Sequence, residues 1–455
     1  MANFLRRTKS VSNNCLYGRG LTFTNSKKSA ANVRRSFSSS SCSFSCFINI
    51  NGGGSATPAK LHQQDPITEK KKLFKNSQSL LSMSSVAYSK MATSGVTTPG
   101  EQKSVEVCRL MGPQDANISG NVHGGVILKM IEQAGLIVST RHCNVMRRHE
   151  STSEDEFEQC VAGLVRVEKT DFVQPMYIGE VAQLHAEITH TAYHSMEVQV
   201  RVWAEDVMHG TKRMTNKATL WYVPTSVKTL GKVLPIPKIS YLSAEEEAAG
   251  WERYNKQKEA RRRQGLGSTV SFTMAEVEHL MDQDNCITEH SVPYAQSSLI
   301  HLAGVTDCNF ASYVNGGVTM KLMDEVAGIT AFKHCKTTVV TASMDAVNFH
   351  QPIPRGSVMH VVGRPSFTSK HSIEIEVFVD METMFKGHSK KQRAVHAFFT
   401  FVSLSNNKEV LDIPHLKVQT EGEISRFKEG AARYELRKQA RSKGKKQHQN
   451  AASCS

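Results

Sequence analysis

The sequence predicts an α+β protein in which one folding unit occurs twice, and three observations predict it. A stretch of about 120 residues repeats itself along the chain, each repeat opens on a helix-compatible run that is apolar almost all round, and segments of period-two alternation follow each run. A helix without a polar face has to be buried, and alternating strands bury one face. Each copy is therefore expected to curl an antiparallel sheet around its own long helix, with the two copies packed as a pseudo-dimer.

The repeat is dense. Residues 111–126 align with 303–318 at an offset of 192, and the match continues without gaps to Cys143 and Cys335, with 11 identities in 33 pairs. Such self-similarity marks a duplicated structural unit. Farther on, residues 172–179 match 349–356 and 194–200 match 371–377, both at an offset of 177, which places a 15-residue insertion in the first copy. The polar stretch 144–159 is its expected site, as a surface loop.

The buried helices are expected at 126–138 and 318–332. Met196, Val198, Val200 and Val202 alternate with polar partners, as do Ile373, Ile375, Val377 and Val379; residues 217–223 and 396–402 add a further aromatic and β-branched strand to each copy. The copies are bounded at 100–225 and 286–405. Between them, 226–285 is a linker in which Ser243-Ala-Glu-Glu246 forms a capping box. It opens a helix that ends on Arg261-Arg-Arg263. A basic helical tail, 406–455, contains residues 432–441, which echo 252–261. Both charged helices read as solvated.

The formal charge of +14 sits at the ends. Residues 1–64 hold nine Lys and Arg and no acid, residues 421–446 carry a net +5, and the remainder is neutral. The charge is therefore not that of a DNA-binding fold and no nucleic-acid partner is expected, with RNA binding through the basic ends left as a minor alternative. Residues 1–95 form a basic, Ser-rich leader of transit-peptide composition, to be left out of the fold. This points to a mitochondrial address, or to the cytoplasm where translation starts at Met83 or Met91. No apolar run approaches the ~18 residues of a membrane span. Ten cysteines without a C-x-x-C pair indicate free thiols in a reducing compartment and no metal site.

The chain lacks G-x-S-x-G, G-x-x-x-x-G-K-[ST], H-E-x-x-H and G-x-G-x-x-G signatures. What remains is the start of each buried helix. Gly120-Asn-Val-His-Gly-Gly125 sets two glycines and polar side chains where free N–H groups and the helix dipole favour negative charge, a setting suited to a developing oxyanion. Gly-Gly equally permits a tight turn. Each helix also carries an acid, Glu132 or Asp324, seven residues past its second glycine, or ~10 Å along the axis. That is too far to act at its own helix start. A working site requires antiparallel helices, with the acid of one copy beside the Gly-Gly turn of the other. One composite site then joins Asn121, His123 and Gly125 to Asp324; the second joins Tyr313, Asn315 and Gly317 to Glu132. The first is expected to be competent and the second a relic.

Asn121-Val-His-Gly-Gly-Val with Lys129, Gly316-Gly-Val-Thr-Met-Lys-Leu-Met-Asp-Glu-Val-Ala-Gly328 and Thr341-Ala-Ser-Met-Asp-Ala-Val-Asn-Phe-His350 resemble the tandem hotdog acyl-CoA thioesterases across residues 103–440. The resemblance implies two hotdog domains and hydrolysis of medium- to long-chain fatty acyl-CoA to free acid and CoA, with no cofactor. It implies Asn121 and Asp324 as the catalytic pair. Gly125 N–H would polarise the carbonyl, with His123 and Gly124 positioning the substrate. It also implies assembly into trimers of the double-hotdog unit. Asn315 departs from the family's second His-Gly-Gly, within the relic site. Ser369 and Lys370, in the turn Thr368-Ser-Lys-His371, are candidates for CoA phosphates. The alternative is a catalytically silent acyl-CoA-binding or scaffolding protein.

Overall fold

A computed structural model describes residues 103–150, 158–229, 231–267, 287–383, 391–405 and 407–452. The expected leader, 1–95, lies outside these residues. The first copy comprises β1 (Ser104–Leu110), α1 (Gly124–Glu150), β2 (Cys160–Val167), β3 (Thr170–Phe172), β4 (Val181–Thr191), β5 (Met196–Asp206) and β6 (Thr211–Ser226). A linker helix, α2 (Ala244–Gly267), follows. The second copy comprises β7 (Ser297–Leu302), α3 (Gly316–Cys335), β8 (Thr338–Met344), β9 (Val347–Phe349), β10 (Ser357–Thr368), β11 (Ile373–Thr383) and β12 (Lys391–Leu404), and the tail forms α4 (Glu421–Ala452).

The strands of each copy follow one order. β1-β4-β5-β6, with β2 and β3 both on β6, has its counterpart in β7-β10-β11-β12, with β8 and β9 both on β12. Antiparallel pairing of β2 with β9 and of β3 with β8 joins the two halves into a single 12-stranded sheet. The alternating residues Met196, Val198, Val200 and Val202 are buried against α1, and Ile373, Ile375, Val377 and Val379 are buried in the second copy. Two hotdog units, each a curved antiparallel sheet around a long helix, are thus fused edge to edge.

The helices α1 and α3 pack against each other. A Cβ on Gly125 would stand 2.9 Å from Lys321 Cα, and one on Gly317 would stand 2.9 Å from Lys129 Cα. The reciprocal pairing, start of one helix to the second turn of the other, makes them antiparallel. No side chain larger than hydrogen fits at either crossing, so these two glycines set the inter-helix distance.

Two expectations are corrected. The insertion at 144–159 does not begin as a loop: α1 runs on through Glu150, whereas α3 stops at Cys335 because Lys336 turns into the left-handed region (φ 55°). Asn144 ties the extension to β2, donating to Thr140 O and Cys160 O at 2.9 Å and accepting from Cys160 N at 3.0 Å.

The charged helices are not free in solvent either. Each clamps a buried glutamate on the outer face of its sheet. Arg253 of α2 donates to Glu197, which is fully buried, at 2.7–2.9 Å. In the second copy Arg433 and Arg437 of α4 reach the equivalent Glu374, at 2.8 and 2.7 Å. Arg437 also pairs with Asp345 at 2.7 Å, and Arg426 pairs with Glu376. Three charge partners hold the Glu376 carboxyl near a pKa of about 2: burial alone would push it up, and His396, Arg364 and Arg426 outweigh that. A buried carboxylate left without its cation costs several kcal/mol, so these helices are part of the fold. No helix among the described residues is long and apolar enough to cross a membrane.

Candidate active site

The site begins in the loop between β1 and α1. Asp115 accepts from Arg109 at 2.6 Å and from Gly112 N at 3.0 Å, and its carbonyl receives His123 N at 2.8 Å. Asn117 Oδ1 accepts the N–H groups of Ser119 and Asn121, at 2.9 and 3.1 Å. Asn121 then forms an isolated antiparallel bridge with Tyr177. This chain of bonds delivers Asn121, His123, Gly124 and Gly125 to the start of α1 in a fixed arrangement. The second copy builds the same loop from Asp307 and Asn309, and there Tyr313 bridges Pro354.

Asp324, at the start of the third turn of α3, reaches the start of α1 across the helix pair. It is fully buried. Its Oδ2 accepts from Gly125 N at 2.7 Å and stands 3.0 Å from His123 Nδ1; its Oδ1 accepts from Thr341 Oγ1 at 2.8 Å. Burial alone would lower the His123 pKa, but the neighbouring Asp324 carboxylate outweighs it and leaves the imidazole above its ordinary value. Gly125 N also lies 3.1 Å from His123 Nδ1. With Nδ1 protonated, that nitrogen donates to Asp324 and the shorter bond to the carboxylate is the one Gly125 makes. The Gly125 N–H, expected to face a substrate carbonyl, is instead spent on orienting the acid.

Gly124 is required by space as well: a Cβ there would lie 2.8 Å from Thr341 Oγ1 and 3.0 Å from Asp324 Oδ2. Thr341, on β8, is the residue missed in the sequence. Its only local signal is that it lies in the Thr-Ala-Ser-Met run.

The second composite site has the same backbone and different contacts. Glu132 lies against Gly317, and Leu164 occupies the place of Thr341, packed against Gly316. Glu132 is buried, and its Oε2 finds no hydrogen-bond partner among the described residues. Burial raises its pKa to about 7, only partly countered by the Gly317 N–H and Lys129.

A cavity of about 480 Å³ opens at the Asp324 site, between the copies. Asn117, Asn121, His123, Gly124 and Thr341 give it polar groups; Ile127, Phe172, Met176, Ile329, Phe332 and Phe401 make the rest of the wall largely apolar. Asp324 and Gly125 lie behind His123, Gly124 and Thr341 and are not themselves among its lining residues; nor are Glu132, Tyr313, Asn315 and Gly317.

The sequence profile of the thioesterase superfamily matches residues 119–210 and 311–384, one segment in each copy. The cytosolic acyl coenzyme A thioester hydrolase of Rattus norvegicus is 52% identical over 326 residues, covering 72% of this chain and 81% of that protein. The chain belongs to the acyl-CoA thioester hydrolases. The Homo sapiens cytosolic acyl coenzyme A thioester hydrolase is 51% identical over the same share of this chain. Among solved structures, an acyl-CoA hydrolase of Staphylococcus aureus is 28% identical and superposes with a TM-score of 0.33, covering 36% of this chain and 98% of its own.

In this acyl-CoA thioester hydrolase the turn carrying Ser369 and Lys370 is the β10–β11 hairpin. Ser369 Oγ bonds Ser372 Oγ at 2.7 Å, and Lys370 Nζ lies 3.8 Å from Asp412. Neither residue lines the cavity.

Proposed function

We propose that this acyl-CoA thioester hydrolase works at a single composite centre, with Asp324 of the second copy as the reacting acid and the helix start at 121–125 of the first copy as its cradle. What supports this reading is the set of bonds around Asp324: Gly125 N–H, His123 and Thr341 fix the buried carboxylate, and His123, Gly124 and Thr341 themselves line the cavity in front of it. The fatty acyl chain lies along the apolar wall, which suits medium to long chains. Asp324 acts on water as general base, or on the thioester carbon as nucleophile, and the products are the free acid and CoA.

With Gly125 committed to Asp324, the N–H of Gly124 is the donor placed for the thioester oxygen. It sits on the cavity wall in the first turn of α1, where the dipole favours negative charge. Two asparagines stand ready to orient water or the thioester. Asn121 is the one the sequence favours. Asn117 also lines the cavity, and because its Oδ1 already holds two backbone N–H groups, its Nδ2 is the atom it offers. No cofactor enters this chemistry.

Symmetry-related apolar residues remain exposed at both ends of the sheet: Leu110 and Leu302 on the edge strands, Ile118 and Phe310 in the loops before α1 and α3. They support a homo-oligomer, as trimers of the double-hotdog unit. Cytosolic relatives support a cytoplasmic protein, with a mitochondrial form where the basic leader is retained.

The test is release of free CoA from a series of acyl-CoA chain lengths by protein beginning at Met91. Wild type is expected to turn over medium and long chains, and Asn117→Ala and Asn121→Ala to show which asparagine serves the reaction. Asp324→Asn is expected to lose roughly 10³-fold in kcat; full activity in that variant would sink this assignment.

A further inference from the structure

We propose that Lys408, at the wall of the cavity beside Tyr177, is the cationic subsite for a phosphate group of the CoA moiety. The inference rests on the composite centre proposed above and names the group that anchors the substrate's other end. Lys408 follows β12 in the second copy, yet its Nζ lies over the ring of Tyr177, from the first copy, 4.7 Å from the centroid. Both residues line the cavity. Among the described residues no carboxylate comes within ion-pair distance of Lys408. The cavity's acid, Glu325, is paired with Lys321 at 3.2 Å. A cation held only against an aromatic face keeps its donors for an incoming anion.

The support beneath Lys408 is fixed on both sides. Tyr177 N donates to Glu180 Oε2 at 2.8 Å, and the same carboxylate takes two bonds of 2.7 Å from Arg213, whose guanidinium covers the Tyr177 ring at 5.5 Å. Tyr177 is also bridged to Asn121, so its ring has a set position relative to the reacting groups. On the other side, Ser405 closes the turn: its carbonyl accepts Lys408 N at 2.8 Å, and its Oγ accepts Asn407 N and Glu409 N.

The duplication supplies an internal control. In the second composite site Pro354 stands in the place of Tyr177 and bridges Tyr313. At the position matching Lys408 the first copy has Gly231, and the next residue of that loop, Lys232, pairs with Glu158 at 2.8 Å. The aromatic and the unpaired cation therefore occur together at the site that also has Asp324, Thr341 and the cavity. An acyl-CoA whose acyl end enters this cavity must carry its nucleotide outward past the wall, where a cation meets phosphate.

The test compares one acyl group carried on CoA and on pantetheine, which lacks the phosphates. For Lys408→Glu the expected result is a KM for acyl-CoA raised about tenfold or more, with kcat changed less than about threefold and kcat/KM for acyl-pantetheine held within about twofold. Lys408→Arg is expected to restore most of the acyl-CoA affinity, because it keeps the charge. Equal losses on both substrates would reduce Lys408 to a structural role and overturn the proposal. No change in KM would overturn it too, as would a selective loss in Lys370→Glu with none in Lys408→Glu. Absence of turnover by wild type on either substrate would instead strike the composite centre itself.

Discussion

At one end of the crossed helices, the Asp324 carboxylate is held by Gly125 N, His123 and Thr341, and the last two of these line a cavity; at the other, Glu132 lies against Gly317 near Lys129, Leu164 packs on Gly316, and one oxygen of Glu132 has no partner among the described residues. The backbone is the same at both ends. Duplication has kept what the fold needs, the two glycines at the crossing; on the function proposed above, it has released one end from what the chemistry needs. The two buried acids differ in the donors that surround them.

The largest effect should be shared by the two ends. Gly125→Ala and Gly317→Ala each push a methyl to 2.9 Å from the facing backbone, and each is expected to cost about 3 kcal/mol or more in denaturant unfolding. A large cost at one end only would break the structural equivalence.

Next comes pH. Glu132 has a folded pKa of about 7 against an ordinary 4.5. Below 4.5 both folded and unfolded states hold the proton and nothing is lost. Between 4.5 and 7 the unfolded chain ionises first, and above 7 the full penalty, of order 3 kcal/mol, is present. Glu132→Gln is therefore expected to raise Tm above pH 7 and leave it unchanged below pH 4.5. An equal shift at both would show that the carboxyl is not the source.

A smaller effect separates the sites chemically. Thr341→Ala removes a donor from a buried carboxylate and should lower kcat by roughly 10- to 100-fold, whereas Leu164→Thr at the other end should leave kcat within about twofold. The smallest concerns the outer clamps. Arg253→Met strands Glu197, while Arg433→Met leaves Glu374 with Arg437. The first should destabilise by about 2 kcal/mol after allowance for the half-exposed arginine, and the second by less; the reverse order would refute the clamp as described.

Much of this was legible before any coordinates. The seven-residue spacing from Gly125 to Glu132 and from Gly317 to Asp324 forces the acids to act across the helix pair, because no rotamer spans two turns. Thr341 was not legible as a partner, since it lies on a strand and meets Asp324 only through the fold. Nor was the engagement of Gly125 N–H by the acid, which depends on the distance between two helices. The outer clamps were hidden because Glu197 and Glu374 sit at positions where alternation reads simply as solvent-facing. The extension of α1 past Cys143 was hidden because a polar stretch without glycine or proline fits helix as well as loop.

The central claim is that the duplicated chain works at one of its two helix ends. Acyl-CoA turnover by Asp324→Asn and Glu132→Gln, measured side by side on folded protein, tests it most directly. The expected result is a loss of roughly 10³-fold in kcat for the first and a change of less than about twofold for the second. Comparable losses in both, or activity retained in Asp324→Asn, would contradict it.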